Sequence, residues 1–118
     1  MPERPGKHKR RWRQYRTAGG NEPVREFLRR LSDEDVAEIV AAMKEVESEG
    51  LSAARHLRGD IYEVRAEGHT QSYRILFAPE GRYGQVLLAL EAFSKKSQQT
   101  PPREIELAEK RLSDWRNR

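Results

Sequence analysis

Apolar positions along the chain change period once, which divides it into a helical half and a strand half. Val24, Phe27, Leu28 and Leu31 follow at steps of three, one and three, the spacing of one face of a short helix. Asn21 is the expected N-cap, with Pro23 just inside the first turn. Ser32 ends that helix and caps the next, where Asp33, Glu34 and Asp35 stand at the positive end of the helix dipole. Val36, Ile39, Val40, Met43 and Val46 then form a second stripe that stops at Gly50. Two amphipathic helices joined this tightly predict an antiparallel hairpin.

From Ile61 the period becomes that of strands. Ile61–Glu67, Tyr73–Ala78 and Gln85–Phe93 each read as a strand, and their separations suit an antiparallel meander. His69, Thr70 and Gln71 fall in the first turn, and Pro79, Glu80, Gly81 and Arg82 make the second. Val86 to Leu90 is apolar at every position, which predicts a strand covered on both faces. Ahead of the hairpin, Lys9–Ala18 reads as a strand whose bulky residues, Trp12 and Tyr15, face opposite ways before Gly19-Gly20-Asn21 breaks the chain. Past Pro101-Pro102, the spacing of Ile105, Ala108, Leu112 and Trp115 predicts a C-terminal helix. The expected class is α+β.

Length and composition narrow this picture. The 118 residues suffice for one domain with one core, expected over 9–118, and Pro2, Pro5 and Gly6 among charges predict disorder over 1–8. No cysteine is present, which removes disulfides and thiolate chemistry and suits a reducing cytoplasm. No apolar run approaches the ~18 residues of a membrane span, and the basic start lacks the apolar stretch of a secretory signal. No metal site or cofactor is expected.

The net charge of +4 is unevenly spread. Residues 1–16 carry seven Lys/Arg against Glu3 alone, so this arm holds 7 − 1 = +6 and the remainder sums to −2. Such an arm, with Arg11 and Arg13 within it, suits nucleic acid or an acidic partner, although a solvated terminus has the same composition. Residues 32–49 carry seven carboxylates against Lys44, as expected of a solvated helix face.

Strand alternation gives the first chemistry. Tyr62, Val64 and Ala66 share one face of their strand, and Tyr73, Ile75 and Phe77 share one face of the next. If both faces pack on the hairpin, Arg65 and Arg74 emerge together on the far side. Neighbouring guanidiniums there repel unless an anion lies between them, either Glu63 or a phosphate. Lys95 and Lys96 arrive from the adjacent strand end, and a cationic cluster on a rigid sheet suits a phosphodiester or its transition state.

Asn21-Glu22-Pro23-Val24 with Phe27 and Leu31, Leu57 with Ile61-Tyr62-Glu63-Val64-Arg65, and Tyr73-Arg74-Ile75-Leu76-Phe77 appear in a fixed order. Phe93-Ser94-Lys95-Lys96-Ser97-Gln98-Gln99-Thr100-Pro101, then Glu104-Ile105 and Ala108, complete the series. Together they resemble the phage-derived HigB-type toxins of the RelE/ParE superfamily, over about residues 12–115. The Lys-Lys-x-Gln-x-Thr-Pro segment is the most specific part. The basic arm before Trp12 departs from the usual short start.

The resemblance implies a type II toxin with a RelE/ParE-like fold: an N-terminal strand, a helical hairpin on one side of a small antiparallel sheet, and a C-terminal helix. It implies a ribosome-dependent mRNA endonuclease, neutralised by a helix-turn-helix antitoxin. By position it assigns Arg65, Arg74 and Lys95 or Lys96 to RNA, with Tyr73 and Phe93 as the nearest stacking aromatics. The implied reaction is attack of a 2′-OH on the adjacent phosphate, which leaves a cyclic phosphate and a 5′-OH. That chemistry wants a base, cations for the added charge and an acid for the leaving oxygen. A lysine of depressed pKa among like charges is the favoured base, and His56 is the one histidine placed to approach the site. Two other readings stay open: a ParE-like gyrase inhibitor without nuclease activity, and an inactivated nucleic-acid-binding relative.

Overall fold

The computed structural model describes residues 9–95 and 98–118. The expected disorder of residues 1–8 therefore lies outside the described residues. Five strands form one sheet: β1 (Arg11–Gln14), β2 (Arg55–Arg58), β3 (Ile61–Glu67), β4 (Ser72–Glu80) and β5 (Val86–Ser94), in the spatial order β1-β5-β4-β3-β2. The meander β3-β4-β5 is antiparallel as the sequence predicts. Two features differ from expectation. β1 joins β5 in parallel, making the sheet mixed, and β2 adds a fifth strand that sequence spacing did not indicate.

Among the described residues three α-helices cover the sheet, α1 (Pro23–Arg29), α2 (Asp33–Glu49) and α3 (Pro102–Arg116), and a 3-10 turn at Gly50–Ala53 follows α2. The predicted caps hold at Ser32, whose Oγ accepts the Asp35 amide at 3.2 Å, and at Gly50, with φ +78°. Glu22, one residue later than Asn21, is the N-cap of α1, with Pro23 opening the helix. Val24 of α1 and Ile39, Met43 and Val46 of α2 pack on Val64, Ala66, Tyr73, Ile75 and Phe77. On the other face Ala108 and Leu112 of α3 meet Ile61, Leu76, Ala78, Leu88 and Leu90. β5 is thus covered on both sides, which explains its apolar run. Trp12 and Tyr15 do go to opposite cores, and the Trp12 indole donates to the Met43 carbonyl at 2.8 Å. Arg10 donates to the Glu47 carbonyl at 3.2 Å, a cation at the negative end of α2.

One irregularity sets the site. Leu76 pairs with Glu91 and Phe77 with Ala89, so Leu90 is an extra residue in β5. This β-bulge turns Leu90 and Glu91 toward the same face and reverses the alternation beyond it. Ala92 enters the α1–α2 core, while Phe93 joins the α3 side, opposite Arg74.

Candidate active site

Beyond the start of α3, its face of the sheet carries polar residues in two cross-strand rows. One runs Arg55, Glu63, Leu76, Glu91 and the other Arg65, Arg74, Phe93. Arg65 and Arg74 are direct partners, as alternation predicts, and the anion between them is Glu63. Its side chain is fully buried, with Oε2 accepting from Arg65 Nε at 2.9 Å and Oε1 lying 3.8 Å from Arg74 Nε. The Thr100 hydroxyl donates to Glu63 and accepts from Arg74 at 3.3 Å. A buried carboxylate with these partners keeps two guanidiniums adjacent despite their repulsion.

The two arginines differ in access. The Arg74 side chain is 3 % exposed and that of Arg65 29 %. Burial pulls the Arg74 guanidinium below its ordinary value; Glu63 opposes this, while Arg65 and Arg55 add to it. Arg65 reaches outward to Gln98, donating to its side-chain oxygen at 2.9 Å and its carbonyl at 2.5 Å. Arg55 is exposed on β2 in the same face, a site residue that sequence reasoning missed with its strand.

Lys95 extends the β4–β5 ladder through its amide, bonded to the Ser72 carbonyl at 3.0 Å. With Gln99, Thr100, Pro101 and Pro102 it lines a hollow of about 270 Å³, so Thr100 joins this hollow to the arginines. Lys96 lies outside the described residues. Glu104, in the first turn of α3, meets Glu91 from β5. Burial, and next the hydrogen bond and charge of Glu91, push Glu104 up to about 7. Sequence spacing offers no sign of this carboxyl pair.

The other predicted residues lie elsewhere. Tyr73 is 2 % exposed and belongs to the opposite, α1–α2 core, where its hydroxyl donates to Asp35 at 2.5 Å. That corrects its expected role as a stacking surface, because adjacent residues of a strand face opposite ways and Arg74 takes the site side. Asp35, expected on the solvated face of α2, is buried; Tyr73 and then the His69 amide hold its carboxyl below the usual range. Phe93 is half-buried beside Arg74. His56 pairs with Tyr62, whose ring packs on the opposite core, and bonds the Gly59 carbonyl at 2.7 Å, away from the arginines. Arg11 and Arg13 belong to β1, with β5 and β4 between them and the Arg65 strand. No metal-ligating group of three or more side chains occurs among the described residues.

Residues 26–113 match the family described as phage-derived protein, Gp49-like. The chain belongs to that family and is a HigB-type toxin. It is 34% identical over 108 residues to the protein named "Probable endoribonuclease HigB1" from Mycobacterium tuberculosis strain CDC 1551 / Oshkosh, covering 89% of this chain and 84% of the relative. The protein of the same name from strain ATCC 25618 / H37Rv matches to the same extent. Membership of a toxin–antitoxin family brings with it an antitoxin partner.

Proposed function

We propose that this HigB-type toxin is an endoribonuclease that cleaves mRNA through attack of a 2′-OH on the adjacent phosphate. The observation that carries the reading is the Arg55–Arg65–Arg74 cluster, organised by buried Glu63 and adjoining the Lys95–Thr100 hollow. The endoribonuclease name of the mycobacterial relatives supports it. Arg65 and Arg55 bind the scissile and flanking phosphates, and Arg74, from beneath, holds Glu63 and Thr100 in place. Arg65 gives up Gln98 for a phosphate oxygen, exchanging a neutral acceptor for a charged one. Lys95, with Lys96 next in sequence, faces the developing charge and supplies the base, and Phe93 offers its edge to a neighbouring base. The attack leaves a 2′,3′-cyclic phosphate and a 5′-OH. The ribosome aligns the message in the cytoplasm, and a helix-turn-helix antitoxin holds the toxin inactive.

Induction in cells followed by mapping of transcript 5′ ends tests the reading. New codon-phased ends, lost in Arg65→Ala with growth restored, are the expected result. Double-strand breaks in DNA with intact mRNA would overturn it in favour of gyrase inhibition. Arg65→Ala at wild-type cleavage would remove the cluster from the reaction.

A further inference from the structure

A second cationic surface lies at the opposite edge of the sheet. β1 ends the strand order there, and a groove of about 660 Å³ runs across it. On the α3 face the groove is lined by Arg13, Trp115 and Arg118, with the Arg13 guanidinium 4.9 Å from the Trp115 ring centroid. On the other face it is lined by Arg16, Arg25 and Glu22. Arg16 and Arg25 share Glu22, at 3.2 and 3.0 Å, while their own side chains stay 62 % and 54 % exposed. Four arginines therefore meet one glutamate in the lining, a balance of 4 − 1 = +3.

The strand edge in this groove has hydrogen-bonding capacity facing outward. The amides of Arg11 and Tyr15 bond to carbonyls of Gln85 and Ala89. In a parallel pair, alternate residues bond the neighbouring strand, so the amides of Trp12 and Gln14 point away from β5. Gln14 lines the groove through its exposed atoms, its side-chain oxygen being buried beneath them.

We propose that this groove binds an extended acidic peptide segment, which adds to the sheet as a strand beside β1. Side chains of an added strand alternate between faces, and here both faces present arginine. Successive acidic residues therefore find a cation whichever way they point, while the peptide backbone meets Trp12 and Gln14. The open strand edge favours peptide over nucleic acid, which has no use for a row of amides at strand spacing. An antitoxin carrying such a segment would hold the toxin at the edge remote from the arginine cluster.

The probe is a fluorescent ten-residue peptide of glutamate pairs alternating with threonine pairs, which puts carboxylates on both faces of a strand, titrated into the full chain at low salt. Saturable binding is expected, weakened at least tenfold in Arg16→Glu/Arg25→Glu and unchanged in Arg65→Ala. Hydrogen exchange of wild-type protein with peptide bound should slow at the Trp12 and Gln14 amides. The same peptide with every backbone nitrogen methylated keeps its charge, and should bind at least tenfold more weakly. Equal binding of the methylated peptide, or unchanged exchange at Trp12 and Gln14, would reduce the groove to a general anion surface and overturn strand addition. A ten-nucleotide oligouridine that displaces the peptide and loses its own binding in Arg16→Glu/Arg25→Glu would overturn the proposal in favour of RNA. Absence of saturable peptide binding would overturn it outright. The exchange measurement needs no variant and does not depend on how the substitutions fold.

Discussion

Glu63 shows how one side chain can serve stability and chemistry together. It is fully buried, and its carboxylate is the reason Arg65 and Arg74 can be cross-strand neighbours. Removing one member of a buried charge set leaves the others uncompensated. Glu63→Gln is therefore expected to lower stability by about 2–4 kcal/mol in urea unfolding and to abolish RNA cleavage, whereas Thr100→Val should cost about 1 kcal/mol. Tyr73 and Arg74 are adjacent in sequence and opposite in role. Tyr73→Phe takes a hydroxyl from buried Asp35 and should cost about 1–2 kcal/mol while RNA cleavage per folded molecule stays at the wild-type level. Phe93→Ala should do the reverse, raising KM for RNA severalfold with a smaller loss of stability. A steady-state assay and a thermal melt on the same preparations separate the two outcomes.

At the scale of elements, the parts readable from sequence are those whose large apolar residues recur at a fixed period. α2 repeats its apolar residues over seventeen residues and ends at a glycine, and Tyr62, Val64 and Ala66 in β3 and Tyr73, Ile75 and Phe77 in β4 each mark one face, although β4 is buried along most of its length. The Arg65–Arg74 pairing follows from that alternation alone. β2 was not readable because its four residues are mostly exposed and charged; it is a strand only because β3 pairs with it across Gly59, with φ +53°. With β2 went Arg55. The parallel attachment of β1 depends on where a separate strand docks, and no local spacing records that. The burial of Arg74 was equally hidden, since it depends on how the segment after β5 folds back with Thr100. One local signal is directly testable: Ser32→Ala should cost about 1 kcal/mol through loss of the α2 cap, read in urea unfolding.

For the whole molecule, the carboxyl pair that joins α3 to β5 predicts a pH dependence. Glu104, pushed up to about 7, keeps its proton in the folded chain over a range where the unfolded chain has lost it. Its stabilising contribution is therefore complete below about pH 4.5 and is lost as pH rises through about 7. Arg103 and Arg111 oppose the rise, and Arg111 also bonds Glu91 at 2.9 Å. Glu104→Gln should gain roughly 2–4 °C in Tm relative to wild type between pH 5 and pH 8, with the difference growing toward pH 8. Equal melting shifts at both pH values would show that the pair does not retain its proton. The bulge at Leu90 makes this arrangement possible, and it acts as a phase shifter within a single strand. Before it, even-numbered residues face α3; after it, odd-numbered ones do, so one half of β5 obeys the needs of packing and the other half those of the site. Pairing β5 without the bulge, with Leu90 kept, would exchange the faces beyond it, directing Glu91 and Phe93 toward the α1–α2 core and Ala92 toward Arg74. The reading frame of side chains in β5 is therefore set by whether the bulge forms, and a one-codon deletion of Leu90 would remove the bulge while leaving Glu91, Ala92 and Phe93 on the faces they now occupy.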